Sequence, residues 1–278
     1  MKEFKSFYKT VGGNEGGKCL YNTRLDTYGC GCAHDCLYCY AKSLLGFRGL
    51  WHPEEPSVAD ISKVIAKVRR LKKGSVVRLG GMTDCFQPAE KQCHVTRETI
   101  KALNKQGVHY LIVTKSSMIA EDEYMSILDR DLAHIQVTVT TLDDRLSATY
   151  EKASPPSKRV EAIKKLQDAG FDVALRLSPF IPQYMDIDAL NGLGINKIVI
   201  EFLRVNGWIK RWFDIDYSDY TVKQSGYQHM PLAKKIYYVR KITGFKEVTV
   251  CEDEDQAYLY WKKHVNHNPD DCCNLRKW

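Results

Sequence analysis

Apolar residues return along this chain in two alternating rhythms. Short runs rich in Val, Ile and Leu are followed by stretches whose apolar positions recur three and four residues apart, as on one face of a helix. The first run, Thr23–Gly29, leads into a cysteine-rich loop. Tyr40–Gly46 then starts helically, and Trp51–Pro56 breaks it. From Ser57 or Asp60 to about Leu71, Ile61, Val64, Ile65 and Val68 share a helical face. Beyond that the alternation is regular. Strands are expected over 75–80, 108–114, 134–140, 171–177 and 195–202, with helices over 95–106, 121–130, 157–169 and 186–193; Gly107 and Gly170 end two of them.

Five βα units after a first strand give six strands joined by helical crossovers, a pattern that implies a parallel sheet with helices on its outer face. The expected class is α/β, a partial (β/α)6 TIM-type barrel over residues 23–202 with a C-terminal extension over 203–278. Residues 1–22, broken by Gly12-Gly13 and Gly16-Gly17, read as an irregular leader. The extension opens on an aromatic stretch without a clean period (203–229). A helix over 230–243, a strand over 245–251, a helix over 254–265 and a tail follow. In barrels of this kind chemistry sits where strands end and loops begin.

Composition narrows the setting. Hydrophobic residues at 44% are enough for a sizeable core, and no stretch approaches the ~20 apolar residues of a membrane span. Met1–Phe7 has no apolar signal region, so a cytoplasmic, reducing location and no membrane association are expected, with free thiols. The net charge of +7 suits nucleic acid, and equally any other anionic partner.

The candidate chemistry begins in Gly29–Tyr40, where Cys32, Cys36 and Cys39 form a CxxxCxxC triplet with Tyr38 before its last cysteine. A short loop lets three thiolates converge on one corner of an iron–sulfur cluster. Such clusters normally take four protein ligands, so three leave one iron open. A structural zinc site would want four ligands, and His34 sits awkwardly inside the tight loop to be the fourth.

The strand ends add polar groups. The second carries Gly80, Gly81, Met82, Thr83, Asp84 and Cys85, where glycines let backbone approach a ligand and Thr83 and Asp84 face an ammonium or hydroxyl. The third offers Lys115 for a carboxylate. The fourth offers Thr138 and Thr140, which strand alternation places on one face, and the fifth offers Arg176 and Ser178. Glu151, after the fourth strand, reads equally well as structural.

Taken in order, the cysteine loop with trailing Tyr-Ala, then Thr83-Asp84-Cys85-Phe86-Gln87-Pro88-Ala89-Glu90, then Val113-Thr114-Lys115-Ser116, then Thr140-Thr141-Leu142-Asp143 resemble the spore photoproduct lyase-like group of the radical S-adenosylmethionine (SAM) superfamily. The resemblance covers roughly residues 22–202. It implies a 4Fe–4S cluster on Cys32, Cys36 and Cys39 that cleaves SAM reductively to a 5′-deoxyadenosyl radical, which takes hydrogen from a substrate. It also implies Tyr38 near the adenine, Gly80, Gly81, Thr83 and Asp84 at the methionine moiety, Lys115 near its carboxylate and Thr138 near the ribose. Thr140 and Arg176 complete the expected cofactor cradle, and a reducing donor such as flavodoxin or ferredoxin is the expected partner. Tyr38 and Cys85 are the candidates for a catalytic role. One departure stands out: photoproduct lyases of this group carry a hydrogen-donating cysteine where this chain has Met82, whose thioether has no S–H. The expected substrate is therefore open, a nucleic-acid base or nucleotide being the first candidate.

Three features stay outside that reading. The basic segment Lys63–Lys73 fits either DNA or a solvated helix face. The aromatic and basic residues between Arg204 and Tyr227 fit either base stacking or a lid over the barrel mouth. Cys251, Cys272 and Cys273 could ligate a second iron–sulfur cluster, as in radical SAM enzymes that modify peptides, or a metal, with Cys85 or Cys93 as a further ligand, or simply pack the tail. A non-catalytic, zinc-stabilised nucleic-acid-binding protein is the rival from another class; it leaves the six βα units unexplained.

Overall fold

The computed structural model describes residues 4–9 and 17–276. Gly12, Gly13 and Gly16 of the expected leader lie outside them. Its centre is one sheet of eight strands in the order β1 (Phe7–Lys9), β2 (Thr23–Leu25), β5 (Val76–Leu79), β6 (His109–Thr114), β7 (Ala133–Thr138), β8 (Asp172–Phe180), β9 (Lys197–Phe202) and β12 (Glu247–Val250). The seven strands from β2 to β12 run parallel, and β1 pairs antiparallel with β2. β1 and β12 do not pair with each other, so the expected partial barrel is what forms.

The sheet crosses both boundaries drawn from the sequence. The leader supplies β1, and the extension supplies β12, which lengthens the sheet beyond β9 in parallel register, with Val199 opposite Thr249. The expected first strand is split: β2 stops at Leu25, and β3 (Tyr28–Gly29) turns away to pair with β4 (Ser57–Val58). The aromatic stretch holds a short helix, Gly207–Trp212, and the hairpin β10 (Val222–Gln224) and β11 (Tyr227–His229). The helix expected over 121–130 is only Asp122–Met125, preceded by a 3-10 turn at Ser117–Ala120. No helix among the described residues is long and apolar enough to cross a membrane.

Strand alternation sorts the side chains. Val77, Leu79, Tyr110, Ile112, Ile135, Val137, Val173, Leu175 and Ile198 face outward into a core shared with Val64, Val68, Ile100, Leu103, Ile163 and Leu166 of the covering helices. The segment 61–68 shows why these helices form where they do. Asp60 caps the Ser62 and Lys63 amides, and the apolar stripe of Val64 and Val68 is buried while the lysines stay outside.

The inward face is filled from below by the chain's own tail: Cys273 and Leu275 pack on Leu111, with Val76, Val113 and Tyr21 around them. Asp172 fixes that tail. It accepts from the Arg276 amide at 2.7 Å and the Lys197 ammonium at 2.7 Å, and pairs with His134 Nδ1 at 2.6 Å. His134 Nε2 in turn meets His109 Nδ1 at 3.2 Å.

Glu90 is the other buried anchor. Its carboxylate accepts from the Tyr28 hydroxyl (2.5 Å), the Tyr124 hydroxyl (2.9 Å), and the Thr96 (2.8 Å) and Arg97 (2.9 Å) amides. Truncation would strand two phenols and two amides in a dry core. Glu90→Ala should therefore cost about 3 kcal/mol of stability, read as a lower urea midpoint at unchanged slope.

Candidate active site

The cysteine loop is shaped by backbone before any ligand is considered. Gly31 has φ +152°, and a Cβ there would stand 2.1 Å from the His52 carbonyl oxygen. Cys30 and Asp35 also take positive φ. The Leu37 amide donates to the Tyr150 carbonyl at 2.9 Å and the Lys152 amide to the His34 carbonyl at 2.7 Å, strapping the loop to the segment that follows β7. The Ala33 amide donates to Gln87 Oε1 at 3.0 Å, tying it to the loop after β5.

Cys32, Cys36 and Cys39 line one cavity at the C-terminal ends of the strands, together with Gly80, Gly81, Met82, Thr83, Asp84, Lys115, Thr138, Arg176, Glu201 and Arg204. Among the described residues, the only three donors whose ligand atoms all lie within 4.8 Å of one another are those of Cys251, Cys272 and Cys273. The loop cysteines are therefore spread more widely. Burial pushes the Cys32 thiol up to about 12, with the Asp84 charge adding to it. Burial likewise raises Cys36 and Cys39, while Lys115 opposes both shifts. Without a cation at the site these thiols stay protonated, so loading a metal there releases protons.

Two polar residues expected to meet a ligand, Asp84 and Thr83, line the cavity and are also tied into the scaffold. Asp84 Oδ1 accepts from the Thr114 hydroxyl (2.7 Å) and the Phe86 amide (2.8 Å), and Oδ2 from the Lys115 amide (2.7 Å). His34 Nδ1 lies 3.3 Å from Oδ2. Burial alone would raise this carboxyl, but His34 and the amide donors outweigh it and hold it at about 2. Thr83 likewise gives its hydroxyl to the Tyr28 carbonyl. Gly80 has φ +82°, and a Cβ on it would reach the Val113 carbonyl oxygen at 2.9 Å.

Tyr38 lines the cavity, yet its hydroxyl donates to Glu151, which is paired with buried Arg159. Tyr38 is thus a wall of the site, with its phenol held by Glu151. Burial would raise the Glu151 carboxyl, but Arg159 and Lys115 hold it low. Thr140 joins this network, 3.0 Å from the Tyr150 hydroxyl, and does not line the cavity. β7 ends at Thr138, so the alternation that paired the two threonines does not extend to it. Cys85 is the second correction. It is fully buried in the outer core, its carbonyl accepting from the Thr96 hydroxyl at 2.6 Å, and does not reach the cavity. Lys115 does reach it: its ammonium lies 5.5 Å from the Tyr38 ring centroid and 3.4 Å from the Ser178 carbonyl oxygen. Arg176 is paired with Glu201 (2.5 Å) and Gln136 (2.6 Å).

A family model for the radical SAM superfamily matches residues 27–190, over half of the chain and including both the cysteine loop and the loop after β5. The chain belongs to the radical SAM superfamily. It is 27% identical over 169 residues to the uncharacterized protein MJ0683 of Methanocaldococcus jannaschii, 58% of this chain and 62% of that one. It is 24% identical over 231 residues to the uncharacterized protein ORF301 of Acidianus two-tailed virus, 74% and 75% of the two chains. The chain thus spans under two thirds of the first of these relatives. The fold is similar to a spore photoproduct lyase variant with bound AdoMet and dinucleoside spore photoproduct, at TM-score 0.63 and 13% identity over 85% of this chain and 78% of that one. Membership in the superfamily accounts for the βα units that the reading as a zinc-stabilised nucleic-acid-binding protein leaves unexplained.

Sequence reasoning missed the second carboxylate behind the site. Asp26 accepts from the Gly81 amide (2.6 Å), the Met82 amide (3.1 Å) and the Tyr8 hydroxyl (2.9 Å), while Tyr40 donates to the Gly81 carbonyl at 2.6 Å. An acid directly after β2 was the available signal.

The lowered Asp84 carboxyl makes a pH prediction. Its folded value of about 2 lies below the ordinary 3.8, so its contribution is complete above about pH 4 and is lost as pH falls toward 2. That contribution is on the order of 2 kcal/mol. Asp84→Asn should flatten this part of a urea-midpoint-against-pH curve and lower the plateau above it.

Proposed function

We propose that this radical SAM enzyme holds a 4Fe–4S cluster on Cys32, Cys36 and Cys39 and binds SAM in the adjoining cavity. The supporting observation is that the three thiols of the CxxxCxxC loop share one cavity with the strand-end residues Gly80, Lys115 and Thr138. When bound, the cluster supplies the electron that cleaves SAM to a 5′-deoxyadenosyl radical, which abstracts hydrogen from a substrate. The chain's own residues bind and shield. Lys115 offers its ammonium to the methionine carboxylate, Thr138 its hydroxyl to the ribose, and the left-handed turn at Gly80 brings backbone close to the ligand. Tyr38, Tyr150, Tyr184 and Phe213 pack edge to face and stacked on one side of the site, which keeps water from it. The electron comes from a reducing cytoplasmic donor of the flavodoxin or ferredoxin kind.

The substrate we propose is a nucleic-acid base or nucleotide. Arg204 lies over both the Tyr40 ring (5.0 Å) and the Tyr227 ring (5.3 Å), and Tyr40 and Arg204 both line the cavity. Alternating aromatic and cationic planes are what stacked bases use. Photoproduct repair itself is not the reaction proposed, because Met82 has no S–H and Cys85 is buried away from the cavity.

Two measurements test this. Anaerobically reconstituted, reduced protein should convert SAM to 5′-deoxyadenosine, detected by chromatography, and Cys36→Ala should fall to background; equal yields from both would sink the cluster assignment. Arg204→Ala should weaken binding of a short single-stranded oligonucleotide about fivefold or more, as loss of about 1 kcal/mol of stacking requires. Unchanged affinity in a fluorescence-anisotropy titration would point away from a nucleic-acid substrate.

A further inference from the structure

A second group of thiols stands at the far side of the cavity, brought together by the two segments that the extension adds to the barrel. Cys251 follows β12 directly, with its amide donating to the Ile200 carbonyl at 2.8 Å, so its side chain continues the inward face. Cys272 and Cys273 come from the tail that fills the barrel. Cys272 Sγ is 3.4 Å from Cys251 Sγ, and the three sulfurs all lie within 4.8 Å of one another.

That convergence is held from outside. The Cys273 amide donates to Asp271 Oδ1 at 3.0 Å, and the Cys273 carbonyl accepts from Gln136 Nε2 at 2.9 Å. Gln136 Oε1 accepts from Arg176, whose cationic charge reaches Cys251. Asp271 is itself fixed by the Tyr21 hydroxyl at 2.6 Å. Backbone and outer partners that orient the donors are what a metal site needs in addition to the donors.

The separations decide what such a site takes. Thiolates placed tetrahedrally about one ion at about 2.3 Å stand about 3.8 Å apart. Sulfurs bound to different irons of a cluster stand further apart. We propose that Cys251, Cys272 and Cys273 bind a single soft divalent cation of the zinc type, not a second iron–sulfur cluster. Three protein ligands leave one tetrahedral position unfilled. Cys251 and Cys272 line the cavity, so that position faces it and is open to a solvent or substrate donor atom. Cys19 lines the same cavity but lies outside the 4.8 Å group. The ion needs neither SAM nor the first cluster, so the proposal stands or falls separately from the radical chemistry.

The test is metal content without the first site. A Cys32→Ala/Cys36→Ala/Cys39→Ala chain, purified anaerobically and given Zn²⁺ alone, should retain one zinc per chain by elemental analysis. Stripped and given Co²⁺, it should develop the thiolate-to-cobalt charge-transfer absorption and the strong visible bands of a tetrahedral ion. Should that variant fail to fold, the intact chain is compared with Cys272→Ser/Cys273→Ser. One zinc should be lost there at unchanged iron. A brown triple variant that keeps several irons and sulfides, a Cys272→Ser/Cys273→Ser chain that loses iron, or a metal-free chain with Cys251 and Cys272 oxidised to a disulfide would each overturn the proposal.

Discussion

A buried carboxylate has to be satisfied, and the catalytic end of this barrel is built around that requirement at Asp84. Its two oxygens draw together the end of β6 through Thr114 and Lys115, its own loop through Phe86, and the cysteine loop through His34. Gln87 repeats the link by accepting from Ala33, and Glu90 anchors the far end of the segment on Tyr28 and Tyr124. The conspicuous polar residues after β5 are thus scaffold. They fix where three thiols stand, and losing one partner leaves a dry, unpaired polar group, which costs far more than one hydrogen bond contributes.

The same accounting explains why the chain ends matter to the site. A partial barrel leaves its inward face uncovered, and here Cys273 and Leu275 fill it. β12 meanwhile extends the sheet and sets Cys251 and Glu252 at the cavity edge. The region that read as an appendage completes the interior and supplies part of the wall. Arg176 bridges the two, pairing with Glu201 of β9 while its partner Gln136 holds the tail at Cys273.

The βα alternation, the cysteine triplet and the order of strand-end motifs were legible because each is local: period, spacing and turn residues carry them. The family resemblance read from those motifs agrees with the match over 27–190. What was not legible depends on partners distant in sequence. Asp84 and Thr83 look like ligand groups until Lys115, Thr114 and Tyr28 are seen to occupy them. Thr140 was assigned by alternation past the residue where β7 ends. The pairing of β12 with β9 and of β1 with β2 requires knowing which sheet edges remain open, and no window of the sequence states that.

The paired state of the acids also bears on the kind of reaction the cavity can run. Among the described residues four carboxylates line it, and each is engaged: Asp84 as above, Glu201 with Arg176 and Ser178, Glu252 with Lys235 and Trp261, and Asp253 with Arg204 at 2.7 Å. General acid–base catalysis wants a carboxyl poised near the working pH and free to exchange a proton with substrate. Arg176 and the other opposing charges hold Glu201 below its ordinary value against the effect of burial, and His34 with the amide donors does the same for Asp84. Neither can therefore supply a proton near neutrality. Burial instead raises Glu252, whose oxygens are taken up by Lys235 and the Trp261 indole. Hydrogen-atom abstraction asks for no such group. The radical chemistry proposed above asks instead for a wall that holds its substrate, and these pairings fit that proposal.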